Sequence, residues 1–201
     1  MNELKSEVRD IFGKVSEQAK VIGVLVLLMW VPETIDTLFL GQGLNIYGII
    51  PRDLTGLRGI VLSPFLHSGF THLIGNTAPF VALAWLILAQ GAKRFAIVSI
   101  VVTFISGMGV WLFGASNSIT IGASGVVFGY FGYLLLHGIF DRRIASILLS
   151  LAVGVVYGTL LFGVLPSQPG ISWLGHLFGL LGGGLVAWIF GRSPKTSASA
   201  A

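Results

Sequence analysis

FAIVSIVVTFISGMGVWLFGASNSITIGASGVVFGYFGYLLLHGIF, residues 95–140, runs for 46 positions without an Asp, Glu, Lys or Arg. One spanning helix needs about 20 apolar residues. The stretch therefore holds two spans, and Gly114-Ala115-Ser116-Asn117-Ser118 is the turn between them. The next charge-free stretch, residues 144–190, reads the same way. Its turn is Pro166-Ser167-Gln168-Pro169-Gly170. Upstream, residues 71–90 form a further span bounded by Gly91 and Lys93-Arg94. A span at about 20–40 opens the set. Its unbroken apolar run, residues 21–31, is only 11 residues, and Pro32, Glu33 and Asp36 make its outer end polar.

The whole-chain composition agrees. The chain has 201 residues, 54% hydrophobic and 10% charged, with a mean hydropathy of +0.90. Soluble domains carry about 25% charged residues. A soluble enzyme, a disordered chain and a nucleic-acid binder are excluded on that ground. Cysteine is absent, so no disulfide framework or zinc–thiolate site exists. The expected fold class is an all-α membrane protein, a six-transmembrane-helix bundle in a lipid bilayer.

Lys and Arg orient it. With the N-terminus inside, Lys5, Arg9, Lys14, Lys20, Lys93, Arg94, Arg142, Arg143, Arg192 and Lys195 lie on the inner side, and only Arg52 and Arg58 lie outside. Both termini are then cytoplasmic. The size and topology suit a bacterial cytoplasmic membrane. Residues 1–20 place Val8, Ile11, Phe12 and Val15 at helical spacing among charges, as an interfacial amphipathic helix or a frayed tail. Residues 21–191 form the six-span domain, and the Ser/Ala-rich residues 192–201 a disordered cytoplasmic tail. The first outer loop, residues 41–70, is too apolar to float in water and is expected in the outer leaflet.

Polar groups inside a bilayer are functional candidates. His72 and Asn76 open the second span, Ser124 opens the fourth, and His176 lies in the second turn of the sixth. All four fall near the outer face. His137 lies at the inner end beside Asp141 and reads as an interfacial residue. Ser124 sits at a loop-to-helix junction, where first-turn N–H groups favour a developing anion. It also reads as a simple helix cap. Gly125 and Gly129 in one span, and Gly175, Gly179 and Gly183 in the other, form small-residue faces for close packing. That packing brings His176 within reach of Ser124, as the base a weak serine nucleophile needs. A structural histidine is the alternative. His72 and Asn76, four apart on one face, suit either an oxyanion hole or helix-packing hydrogen bonds.

His72-Leu73-Ile74-Gly75-Asn76, Gly122-Ala123-Ser124-Gly125 and Gly175-His176-Leu177-Phe178-Gly179, in that order on spans two, four and six, resemble the rhomboid intramembrane serine proteases. The resemblance covers about residues 21–190. It implies Ser124 as nucleophile, His176 as base, and Asn76 and His72 as oxyanion-stabilising groups beside the backbone N–H of Ser124 and of Ala123. It implies transmembrane protein substrates cleaved near the outer face, and no cofactor or metal. Two departures stand out. The family often has Trp-Arg in the first outer loop, where this chain has Pro51-Arg52. It often has a tyrosine four residues after the serine, stacked on the histidine, where this chain has Phe128. Elimination agrees with serine chemistry: H-E-x-x-H is missing, and spans two to six hold no carboxylates. Two other readings stay open, a catalytically inactive rhomboid-like protein that binds membrane clients and a small transporter.

Overall fold

The computed structural model describes residues 2–166 and 172–191, with side chains from Ser6 onward. The expected tail at 192–201 and most of the 166–170 turn lie outside the described residues. Helix α1, Asn2–Ile35, is a single 34-residue helix. At 1.5 Å per residue it is roughly 50 Å long, well beyond the ~30 Å hydrocarbon core. The charged N-terminal segment and the first span are thus continuous, because no turn signal separates them. Val8, Ile11, Phe12 and Val15 are exposed along it. Pro32 is absorbed inside the helix. A π-turn over Asp36–Leu40 and left-handed Gly41 (φ 58°) then end it.

The first loop is a chain of short helical turns that includes α2, Gly59–Leu62. Helix α3 spans Phe70–Leu88 and α4 spans Ala92–Phe113. Helix α5 is Ser124–Asp141, and α6 is Ile144–Tyr157. A 3-10 turn over Gly158–Val164 extends α6, and α7, Trp173–Gly191, closes the bundle.

Among the described residues, five helical segments are long and apolar enough to cross a membrane: 6–40, 70–88, 92–113, 144–164 and 173–191. The sixth expected span, α5, is not among them, and its surroundings explain why. Eleven of its eighteen residues are buried. A helix walled in by protein can carry Gly129, Gly132, Tyr130, Tyr133 and His137 where a lipid-facing one would be aliphatic. The core runs along this central helix. Leu73, Leu83 and Ile87 of α3, Val98 and Val102 of α4, Phe131 and Leu134 of α5 and Ala187 of α7 are fully buried around it.

Lipid tails are as apolar as leucine, so close backbone packing has to hold such helices together. A Cβ on Gly179 or Gly183 would collide with the carbonyls of Gly125 and Gly129 on α5. The two expected glycine faces therefore do meet, but in a three-helix arrangement. Gly125 and Gly129 themselves face Ser106 and Val102 of α4, and Gly175 packs in ordinary contact with Ser172 and Val110.

The first loop is pinned at several points. Ile49 and Thr120 exchange both backbone hydrogen bonds at 2.9 Å. Arg52 donates from Nη1 to the Leu112 carbonyl (3.0 Å) and from Nη2 to Ser116 Oγ (2.5 Å). Trp111 Nε1 donates to the Asp53 carbonyl in return (2.8 Å). Arg52 thus fastens the loop to the C-terminal end of α4. The side chains of Ile46, Leu54 and Val61 stay exposed on the loop.

Candidate active site

Ser124 is the first residue of α5, and the cap position belongs to Ala123, which makes no side-chain capping bond. The hydroxyl is thus free for another partner. His176 supplies it: Nε2 lies 2.8 Å from Ser124 Oγ. The first-turn N–H groups of α5, that of Ser124 among them, have no acceptor within the helix. The turn before them needs glycine at 122, where φ is +108° and a Cβ would press on the His72 ring at 2.8 Å.

His176 is held on three sides. Phe128, one turn after Ser124, stacks on it with ring centroids 3.9 Å apart and 5° from parallel. The carbonyl of Gly163, in the turn that extends α6, lies 2.8 Å from Nδ1. The third contact is Ser124 itself.

His72 and Asn76 approach from α3. Ser68 lies against His72 Nδ1, its N–H at 3.4 Å and its Oγ at 3.2 Å, and the far edge of the ring, Cε1 and Nε2, faces the Gly122 turn. Asn76 Nδ2 donates to the His72 carbonyl at 3.1 Å, which uses one of its two protons. His72, Asn76, Ser124 and His176 all line one cleft of about 800 Å³. Ser68, Thr71, Ser118, Thr120 and Ser172 add hydroxyls to its wall. Ser116, in the turn beside this cleft, is taken by Arg52. A smaller space of about 20 Å³, between Ser63, Thr103 and Ser106 beside Ser124, has room for one water. His137 stays apart, stacked on Tyr133 with centroids 5.1 Å apart.

Three contributors escaped the sequence reading. Glu33, buried on α1, accepts from the Gly69 N–H (2.7 Å), Thr37 Oγ1 (2.8 Å) and Gln42 Nε2 (3.2 Å). It thereby caps the helix that carries His72 and Asn76, and its isolation among apolar residues was the available signal. His67 is fully buried, edge-on to His72 with centroids 5.1 Å apart. Burial, with His72 pushing the same way, holds its pKa down at about 4. Gly163 acts through its backbone, which leaves no side-chain signature.

These features define a helical membrane protein with a serine–histidine contact at one end of a polar cleft. A Rhomboid domain model matches residues 55–193, and the chain belongs to the rhomboid family. An uncharacterised protein of Mycobacterium tuberculosis is 36% identical over 183 residues, covering 87% of this chain and 75% of its own length. One from Mycobacterium leprae is 36% identical over 170 residues, 81% of this chain and 67% of its own. A Bacillus subtilis protein, YdcA, assigned by name as a rhomboid protease, is 32% identical over 127 residues, 62% of each chain. The chain is a multi-pass integral membrane protein of a family whose membership suggests intramembrane proteolysis.

Proposed function

We propose that the chain is an intramembrane serine endopeptidase that cleaves transmembrane protein substrates near the outer membrane face. The observation that carries this reading is the 2.8 Å contact between Ser124 Oγ and His176 Nε2 at the wall of the polar cleft. The excess of Lys and Arg at the opposite helix ends supports a cleft that faces outward and an N-terminus in the cytoplasm. Helix α5 counts as the sixth span, and the exposed apolar side chains of the first loop sit in the outer leaflet.

Ser124 Oγ attacks the scissile carbonyl carbon as its proton passes to His176 Nε2. The oxyanion that forms is met by the N–H of Ser124 and of Ala123, the remaining proton of Asn76 Nδ2 and His72 Nε2–H. Collapse breaks the C–N bond, and His176 returns the proton to the leaving amine. Water from the cleft then attacks the acyl carbon with His176 again as base, the ester bond to Ser124 Oγ breaks, and His176 returns the proton to that oxygen. A helical substrate must first unwind, since its backbone groups are paired within the helix.

Replacing Ser124 or His176 with alanine removes the nucleophile or the base. The expected outcome, in proteoliposomes holding a single-span substrate, is cleavage by wild type and none by either variant. Wild-type turnover by Ser124→Ala would sink the assignment.

A further inference from the structure

The histidine has a third partner where serine hydrolases often place a carboxylate, and here it is a backbone oxygen. The Gly163 carbonyl lies 2.8 Å from His176 Nδ1. A carbonyl oxygen can only accept, so Nδ1 has to carry the proton in this contact. Nε2 is then a bare lone pair facing the Ser124 hydroxyl, the form a general base requires.

The carbonyl is free for this because of where it sits. Gly163 falls in the last turn of the 3-10 segment Gly158–Val164, and terminal carbonyls of a helix lack partners within it. Its side-chain position is equally constrained. A Cβ on residue 163 would meet Phe128 Cζ at 2.6 Å and His176 Nδ1 at 3.3 Å. Glycine lets the chain come close enough for its oxygen to reach the imidazole while Phe128 keeps its stack. The supporting element is lightly anchored. Only Ser150 and Val153 of α6 are buried, and no residue of the 158–164 turn is.

We propose that Gly163 is a positioning residue of the site: its carbonyl fixes the tautomer and direction of His176, in the role a third side chain plays elsewhere. This rests on the reading of Ser124 and His176 as a catalytic pair. The main chain of the segment after α6 thereby becomes part of the site, and the base stays correctly set only while that segment stays in place.

The test is nitrogen NMR of histidine-labelled protein in detergent micelles at mildly alkaline pH, with His176→Ala identifying the resonances. Wild type should show His176 protonated on Nδ1 and bare on Nε2. Gly163→Ala should give a mixture of tautomers and lower kcat by at least about tenfold, with KM little changed. Gly158→Ala, on the same turn with nothing within 4 Å of its Cβ, should match wild type in both. A wild-type His176 protonated on Nε2, or a Gly163→Ala spectrum identical to wild type, would overturn the proposal. If Gly163→Ala does not fold, the wild-type tautomer decides alone. The spectrum needs no turnover, so a protein that never cleaves would count against proteolysis and leave the tautomer result standing.

Discussion

Phe128 and His67 show how single side chains set the state of the site. The Phe128 ring lies flat on His176, and such stacks contribute about 0.5–1.5 kcal/mol beyond burial. Phe128→Leu keeps an apolar side chain and loses the flat face. It should lower kcat by up to about tenfold with KM nearly unchanged, whereas Phe128→Tyr keeps the stack and most of the activity. Steady-state kinetics of the two variants check this, and equal kcat for Phe128→Leu and wild type would refute it. His67 makes a prediction about stability. Its folded pKa of about 4 lies below the ordinary histidine value of 6.5, chiefly through burial. The neutral ring is the form the fold accepts. Its contribution is complete above pH 6.5 and is lost as pH falls toward about 4. Unfolding midpoints measured across that window should fall less steeply for His67→Leu than for wild type. Parallel slopes would contradict the assignment. Ser124, His176, His72 and Asn76 were legible in the sequence because polar groups in an apolar field stand out. Gly163 was not, since a carbonyl oxygen is common to every residue and only the fold selects one.

At the scale of elements, the decisive contact is α7 against α5. Gly183 faces the Gly129 carbonyl and the Tyr133 backbone nitrogen, and a Cβ at 183 would stand 2.7 Å from the latter. Backbone cannot yield as a side chain can. Gly183→Ala should therefore destabilise the fold by about 1–3 kcal/mol, the usual cost of overpacking. Gly184→Ala is the matched control, because its Cβ meets only the flexible end of Leu136 at 2.9 Å. Thermal unfolding of the two variants should separate them clearly, and equal midpoints would show that the α5–α7 approach is looser than described. The glycine repeats were readable as packing faces from their four-residue spacing. That Gly125 and Gly129 look toward α4, with α7 resting on their carbonyls, was not readable. A repeat marks a narrow stripe on one helix and leaves open which neighbours press on each side of it. The same limit applies to α1, where charge separated the N-terminal segment from the span in the sequence but helix geometry runs through both.

For the whole molecule, the bundle brings groups from distant parts of the chain to one end. Glu33 on α1 caps α3, α3 offers His72 and Asn76, α5 offers Ser124 and Phe128, α7 offers His176, and the turn after α6 offers the Gly163 oxygen. Arg52 and the Ile49–Thr120 pair tie the first loop to the segment that leads into Ser124. The central helix α5 has eleven of its eighteen residues buried, and the five segments long and apolar enough to cross a membrane, among the described residues, do not include it. The central claim is that Ser124 and His176 act together on a peptide bond within the membrane. Its most direct measurement is cleavage of a single-span substrate in proteoliposomes by wild type, Ser124→Ala and His176→Ala, with fluorophosphonate labelling of each. Cleavage and labelling confined to wild type is the predicted result. Undiminished cleavage by either variant, or a folded wild type that neither cleaves nor takes the label, would contradict the account.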